Sequence, residues 1–170
     1  LKMITEFQVN SLKMLERVFS LSNKVNQFIF DYKRFDKEKI KKYLISKKKF
    51  IITYSLKDFI SDSGNIGVTF ATIYKDDLYI DDICISCRAL GREIENTLVF
   101  EPIKRICRKN NLKNVVIKFK VGEKNEPAIN YIKSIFKIYK KKFNTNIKKL
   151  DIRVDELNKI KSLYTKVKFN

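Results

Sequence analysis

The spacing of apolar side chains changes period several times along the chain, and each change marks an element. Residues Lys2–Val9 alternate weakly between apolar and polar, which predicts an opening strand. From Ser11 the spacing turns helical: Leu12, Leu15, Val18 and Phe19 fall on one face, with Ser11 as the cap. The stretch Asn23–Phe35 mixes aromatic and polar residues without a period and predicts a loop or irregular helix. Asp36 is placed to cap a second helix, Lys37–Ser46, whose apolar side is Ile40, Tyr43 and Leu44.

The period then shortens. Phe50–Leu56 is β-branched and aromatic, which predicts a strand. Asp62-Ser63-Gly64-Asn65 has turn chemistry, Ile66–Tyr74 reads as a second strand, Asp76-Asp77 as a turn and Leu78–Ser86 as a third strand. Together they predict an antiparallel meander. A strong helix follows over Arg92–Lys109, with Ile94, Leu98, Val99, Ile103 and Ile106 on its apolar side and Pro102 inside it, expected to kink or loosen it. Asn114–Val121 predicts a central strand. Glu126–Phe136 predicts a helix, with Pro127 allowed in its first turn. The tail predicts strands near Ile147–Ile152 and Leu163–Phe169, with a short helix over Asp155–Lys161. The strand–helix–strand unit in the middle argues for a mixed sheet with a parallel pair. The expected class is therefore α/β, a mixed and mostly antiparallel sheet of about six or seven strands with helices on both faces.

Composition narrows the function. With 170 residues and 44% apolar content the chain suits one domain with a true core. No repeat or linker divides it. It begins at Leu, which is read as a piece of a longer polypeptide. No signal peptide or membrane-length apolar run is visible, and the three cysteines, Cys84, Cys87 and Cys107, point to reduced thiols and a cytoplasmic setting. Histidine is absent, which removes His-based triads, bases and metal ligands together. Cys84 and Cys87 form a C-x-x-C; if both lie on a strand the two side chains point to opposite faces, and with no second pair and no histidine no metal is expected. The net charge of +18, from 37 Lys+Arg against 19 Asp+Glu, attracts anionic partners. Part of it reflects a bias toward Lys, Asn, Ile, Phe and Tyr that AT-rich codons would produce.

The chemistry concentrates at the turn after the third meander strand. Cys87-Arg88-Ala89-Leu90-Gly91-Arg92 runs into the start of the strong helix, whose unpaired N–H groups and positive dipole end favour an anion. Gly91 lets backbone approach a ligand, and Arg88 and Arg92 add charge-assisted donors. The same residues would also serve as a plain turn with two surface arginines. Cys87, at a strand end beside Arg88 and a helix start, has the surroundings of a nucleophilic thiol. Burial statistics favour the plainer reading of a small buried residue. Asn26 and Gln27 are uncharged hydrogen-bonding residues in an aromatic stretch, suited to a substrate or to a loop cap. Asp62 and Gly64 specify a turn. The basic runs Lys37–Lys49, Lys133–Lys142 and Lys148–Arg153 carry no helix-turn-helix, zinc-finger or RNA-binding-sheet signature.

Arg88-x-x-Gly91 after a strand resembles the pyrophosphate loop of the GCN5-related N-acetyltransferases, with Glu93 where that pattern has a small residue. The longer run Ser86-Cys87-Arg88-x-Leu90-Gly91-Arg92-x-x-Glu95 resembles the C-terminal, acetyltransferase-like domain of the FkbH-like family. Asn23-Lys24-x-Asn26-Gln27-Phe28, Asp62-x-Gly64-x-Ile66-Gly67-Val68 and Lys124-Asn125-x-Pro127 resemble it in the same order. The likeness spans roughly residues 1–140.

That resemblance implies an acyl-transfer setting. In the FkbH-like family a haloacid-dehalogenase-like (HAD-like) domain, in cis or in trans, loads a glyceryl unit onto an acyl carrier protein. It implies coenzyme A or a carrier-bound phosphopantetheine arm as the group held here, and an acidic acyl carrier protein as partner. The arm is expected to enter where the strands ending at Ser86 and beginning near Asn114 diverge. Ser86, Cys87, Arg88, Gly91 and Arg92 would hold it near its phosphate, Asn125 near its thioester, and Asn26 and Gln27 would line the substrate side. Tyr131 and Cys87 are the candidate catalytic residues. The acid position of that fold falls on Ile132, so Tyr131 is displaced by about 100° on its helix. A true acyltransferase, a non-catalytic carrier-docking module and a basic nucleic-acid-binding domain remain the readings to separate.

Overall fold

The computed structural model describes residues 3–57, 62–91, 93–163 and 166–170. Four helices, α1 (Leu15–Lys24), α2 (Lys37–Ile45), α3 (Glu95–Lys109) and α4 (Glu126–Ile138), pack on a single sheet. Its strands are β1 (Ile4–Val9), β2 (Phe28–Ile29), β3 (Lys49–Lys57), β4 (Asp62–Tyr74), β5 (Asp77–Ile85), β6 (Asn114–Lys118), β7 (Lys149–Arg153) and β8 (Lys166–Phe169). The order across the sheet is β7-β6-β5-β4-β3-β1-β8, with β2 on β5 beside that path. The β5–β6 and β1–β8 pairs are parallel and the others antiparallel. The expected mixed α/β sheet is present, with eight strands among the described residues.

Two cores lie on opposite faces of the sheet. The larger is built by α3 and α4 with Leu78, Ile80, Val115, Ile117, Leu150 and Ile152. The smaller is built by α1 and α2 with Ile51, Val68, Phe70 and Cys84, where Phe35 stacks on Phe70 at 3.9 Å. The strand alternation in the sequence encodes this division, because opposite faces need alternate residues.

Several boundaries differ from the expected ones for local reasons. Ser11 makes no side-chain cap; a 3-10 turn at Leu12–Met14 intervenes and α1 then runs to Lys24. Asp36 does cap α2, accepting from the Lys39 N–H at 2.8 Å. The Asp62–Asn65 segment belongs to β4 rather than to a free turn, and the β4–β5 turn is Lys75-Asp76, with Lys75 at φ 54. α3 begins at Glu95 and continues through Pro102. β6 stops at Lys118, and the short helix of the tail is a 3-10 segment, Val154–Lys159.

The segment expected to be irregular, Asn23–Phe35, contains the eighth strand. β5 carries a bulge: Phe70 pairs with Asp82 and Ala71 with Ile80, which leaves Asp81 extra. Bulges bend a strand and end its pairing. Past this point β5 no longer pairs with β6, whose partners are Asp77–Ile80. β2 fills the resulting gap. Phe28 pairs with Ile85 and Ile29 with Cys84, the Phe30 N–H donates to the Ile83 carbonyl at 3.1 Å, and the Lys120 N–H donates to the Phe30 carbonyl at 2.7 Å. Side chains alternate through the sheet plane, with Phe28 and Phe30 in the larger core and Ile29 in the smaller. Phe28, Ile29 and Phe30 are 2%, 0% and 1% exposed. Burying three such side chains contributes roughly 5–9 kcal/mol, comparable with the whole stability of a domain.

Asp82 fixes the chain that leaves β2. Its carboxylate, fully buried, accepts from the N–H groups of Phe30 at 3.2 Å, Asp31 at 2.8 Å and Lys33 at 2.8 Å, and from Ile83 at 2.9 Å. Burial pushes its pKa up to about 6, against the pull of those N–H donors. The folded state therefore holds the Asp82 proton more tightly than the unfolded chain, where an Asp titrates near 3.9. The stability from this group is full below about pH 4 and is lost as pH rises through about 6. A carboxyl carbon titration by NMR should place Asp82 near 6, and Asp82→Asn should flatten the stability profile between those limits. A midpoint near the ordinary Asp value would contradict this.

Candidate functional site

The cleft at the end of β5 is built from three sequence segments. β5 delivers Ile85 and Ser86, and the 3-10 turn Cys87–Ala89 follows. Helix α1 supplies Arg17, Ser20, Leu21 and Lys24, and the turn into β2 supplies Val25, Asn26 and Gln27. With Cys87, Arg88 and Lys124 these residues enclose about 590 Å³, within the range of small-molecule sites. Four cations line the cleft, and no carboxylate is among its described lining residues.

The cations are held differently. Arg17 donates to the Asn65 carbonyl from Nε at 3.1 Å and from Nη2 at 2.7 Å, which fixes its fork against β4. Burial, and then the nearby positive charge of Arg88, lower the Arg17 pKa. Two like charges brought together in this way favour an anion between them. Arg88 is exposed. The turn holding Asn26 is clamped by Arg34, which donates from Nη1 to the Ser22 and Val25 carbonyls, each at 2.8 Å, and from Nη2 to Asn26 Oδ1 at 2.6 Å. The Asn26 side chain thus caps a loop as well as facing the cleft.

Five of the residues anticipated from sequence meet here: Asn26, Gln27, Ser86, Cys87 and Arg88. Cys84 is buried on β5, whereas Cys87 is exposed in the 3-10 turn beyond it, so the two cysteines do not share a strand as expected. Gly91 is exposed in a left-handed conformation at φ 77 that suits glycine. Its N–H donates to Glu95 Oε1 at 3.1 Å, so the carboxylate of the first helical turn occupies one donor of the anticipated anion seat. Arg92 lies outside the described residues. The cleft's Arg17, Ser20, Lys24 and Lys124 were not anticipated. The spacing of Arg17, Ser20 and Lys24 places them on one stripe of α1, and that stripe was the available signal.

Neither a family model nor a curated protein matches the sequence. Solved structures do match in shape. A mutant form of the spermidine/spermine N-acetyltransferase SpeG from Vibrio cholerae superposes with a TM-score of 0.62 at 11% identity, covering 91% of this chain and 96% of that one. Tetrahymena GCN5 gives 0.54 at 14% identity, covering 87% and 95%. The ribosomal-protein-S18-alanine N-acetyltransferase from Escherichia coli gives 0.55 at 9% identity, covering 77% and 76%. The chain has the GCN5-related N-acetyltransferase fold.

Two residues expected to work at the arm's thioester end sit elsewhere in this fold. Asn125 is fully buried. Its amide donates to the Ile29 carbonyl at 2.9 Å and the Lys120 carbonyl at 2.9 Å, and its Oδ1 accepts from the Gly122 N–H at 2.8 Å. It joins β2 to the loop after β6. Gly122 of that loop lies so close to the Tyr32 ring, which follows β2, that a Cβ there would sit 2.6 Å from it. Tyr131 packs on Phe28 and Phe30 from the α3/α4 side and donates to Asn96 Oδ1 at 2.9 Å. Burial, with Glu95 nearby, pushes its pKa well above the usual tyrosine value. Tyr131 does not line the cleft.

Among the described residues no group of three or more His, Cys, Asp and Glu could hold a metal ion, and no helix is long and apolar enough to cross a membrane. Because Asn125 satisfies three backbone groups around β2, Asn125→Ala should cost roughly 2–3 kcal/mol. Urea unfolding at neutral pH measures this, and a loss below about 0.5 kcal/mol would contradict the joining role.

Proposed function

We propose that this domain takes part in acyl transfer by seating the phosphate of a phosphopantetheine arm in the cleft between α1 and the turn after β5. The observation that carries this reading is the cleft's lining of Arg17, Lys24, Arg88 and Lys124 with no described carboxylate among them. The likeness of Ser86–Glu95 to the FkbH-like signature supports a carrier-bound arm, with an acidic acyl carrier protein as partner, a small glyceryl-type acyl unit and a HAD-like domain in cis or in trans. Coenzyme A carries the same arm, and a Vibrio cholerae spermidine N-acetyltransferase solved in complex with CoA and spermine shares the fold at a TM-score of 0.55 and 12% identity. The basic surface of a chain with net charge +18 favours an acidic carrier electrostatically.

The phosphate itself is the recognised group in this reading. Isothermal titration should therefore show binding of coenzyme A, 4′-phosphopantetheine and an acidic acyl carrier protein in its holo form. Pantetheine without phosphate, and the apo carrier, should bind at least about tenfold more weakly, a difference of about 1.4 kcal/mol. Arg88→Gln, at an exposed position, should weaken binding by a similar factor, and Arg17→Gln plus Arg88→Gln by more. Equal binding of pantetheine and 4′-phosphopantetheine would overturn the phosphate seat. Steeply salt-dependent RNA or DNA binding without any carrier or coenzyme A binding would favour the nucleic-acid reading instead.

A further inference from the structure

We infer that an arm seated in this cleft keeps its thiol end in solvent, so that the domain presents the arm to another catalytic centre instead of threading it between its own strands. The inference rests on the phosphate seat proposed above. It follows from what fills the space beside that seat.

The opening between β5 and β6 is the route by which an arm would pass from the cleft into the sheet. The chain's own residues 27–33 occupy it. On one side β2 pairs with Ile85 and Cys84, and Phe30 bonds to Ile83. On the other side the Phe30 carbonyl accepts from Lys120, the Ile29 carbonyl from Asn125 and the Gln27 carbonyl from Ala128. An arm lying there would need these same backbone groups. Phe28, Ile29 and Phe30 would also have to leave both cores, and Asp82 would lose the N–H groups of Phe30, Asp31 and Lys33. Withdrawal of the segment is thus coupled to loss of the fold.

Two side chains agree with a closed route. Tyr131, the candidate proton donor, is held by Asn96 on the far side of Phe28 and Phe30. Cys87, the candidate thiol nucleophile in the cleft lining, is the immediate neighbour of Arg88. An extended arm whose phosphate is at Arg88 carries its sulfur many bonds away, so the Cys87 thiol and the arm's acyl group do not meet. The open side of the cleft leaves one direction for the remainder of the arm, outward.

The thiol of coenzyme A reports its own exposure. A Cys87→Ser variant removes the exposed cysteine, since Cys84 and Cys107 are buried, and its affinity for coenzyme A is measured first by titration. Coenzyme A held at saturation by this variant is then reacted with dithionitrobenzoate. The inference predicts a rate within about twofold of free coenzyme A. Binding accompanied by a tenfold or greater slowing would overturn the inference and leave the phosphate seat standing. Absence of binding by both the variant and the unsubstituted chain would overturn both. If only the variant fails to bind, the unsubstituted chain is tested with the slow-reacting iodoacetamide, and the coenzyme A and Cys87 adducts are resolved by mass. The same twofold and tenfold limits then decide.

Discussion

The closure of the central sheet depends on the backbone pairing of β2 in the gap where β5 leaves β6. A parallel pair that splays leaves two rows of backbone donors and acceptors without partners, and a buried row of that kind is costly. Here residues 28–30 pair with the β5 row, the Phe30 carbonyl takes the Lys120 N–H on the other side, and the Asn125 side chain takes the Lys120 carbonyl and the Gly122 N–H. The bulge at Asp81 opens the gap, and the next residue, Asp82, supplies the buried carboxylate that holds the incoming chain in place. The two consecutive aspartates have separate tasks. Asp81 accepts from Tyr43 at 2.7 Å and Thr72 at 2.6 Å and pairs with Lys118 at 3.2 Å, which stabilises the bulge, while Asp82 organises the strand that the bulge admits.

The cleft follows from the same arrangement. Because β2 closes the sheet, the end of β5 meets the C-terminal part of α1 and the turn after it, and a hollow forms on the outside. Its character is set by what α1 projects there. Arg17 is anchored through the Asn65 carbonyl and stands near Arg88, so the cleft carries a positive charge that no carboxylate among its described lining residues offsets. The helix start that sequence reasoning favoured as the anion seat is partly satisfied by its own Glu95. The cationic centre is shifted from the start of α3 toward α1.

Much of this architecture was legible in the alternation of apolar residues. The meander, the parallel strand after α3 and the helices on both faces follow from periods of two and of about 3.6 residues. β2 was not legible. Two strand residues flanked by Asn26-Gln27 and Phe30-Asp31 show no period, and their pairing is set by partners more than 50 residues away along the chain. Asn125 was expected to bond the arm near its thioester and instead bonds backbone; a side-chain amide that bonds backbone and one that bonds a ligand look alike in sequence. The same holds for Tyr131, whose hydroxyl serves Asn96. Arg88 and Cys87 were legible because their neighbours in the chain form the turn itself, whereas Arg17 reaches the cleft only through the packing of α1 on β4.

The sealing of the gap by β2 is the claim on which the rest stands, and amide hydrogen exchange tests it most directly. The Phe30 and Lys120 amides, which close the two sides of the gap, should exchange only through global unfolding. Their protection should then equal that of the central strands β4 and β5, both alone and with coenzyme A bound. Exchange of these two amides several orders of magnitude faster than the central strands, or a large change on adding coenzyme A, would show a strand that opens and would contradict the account.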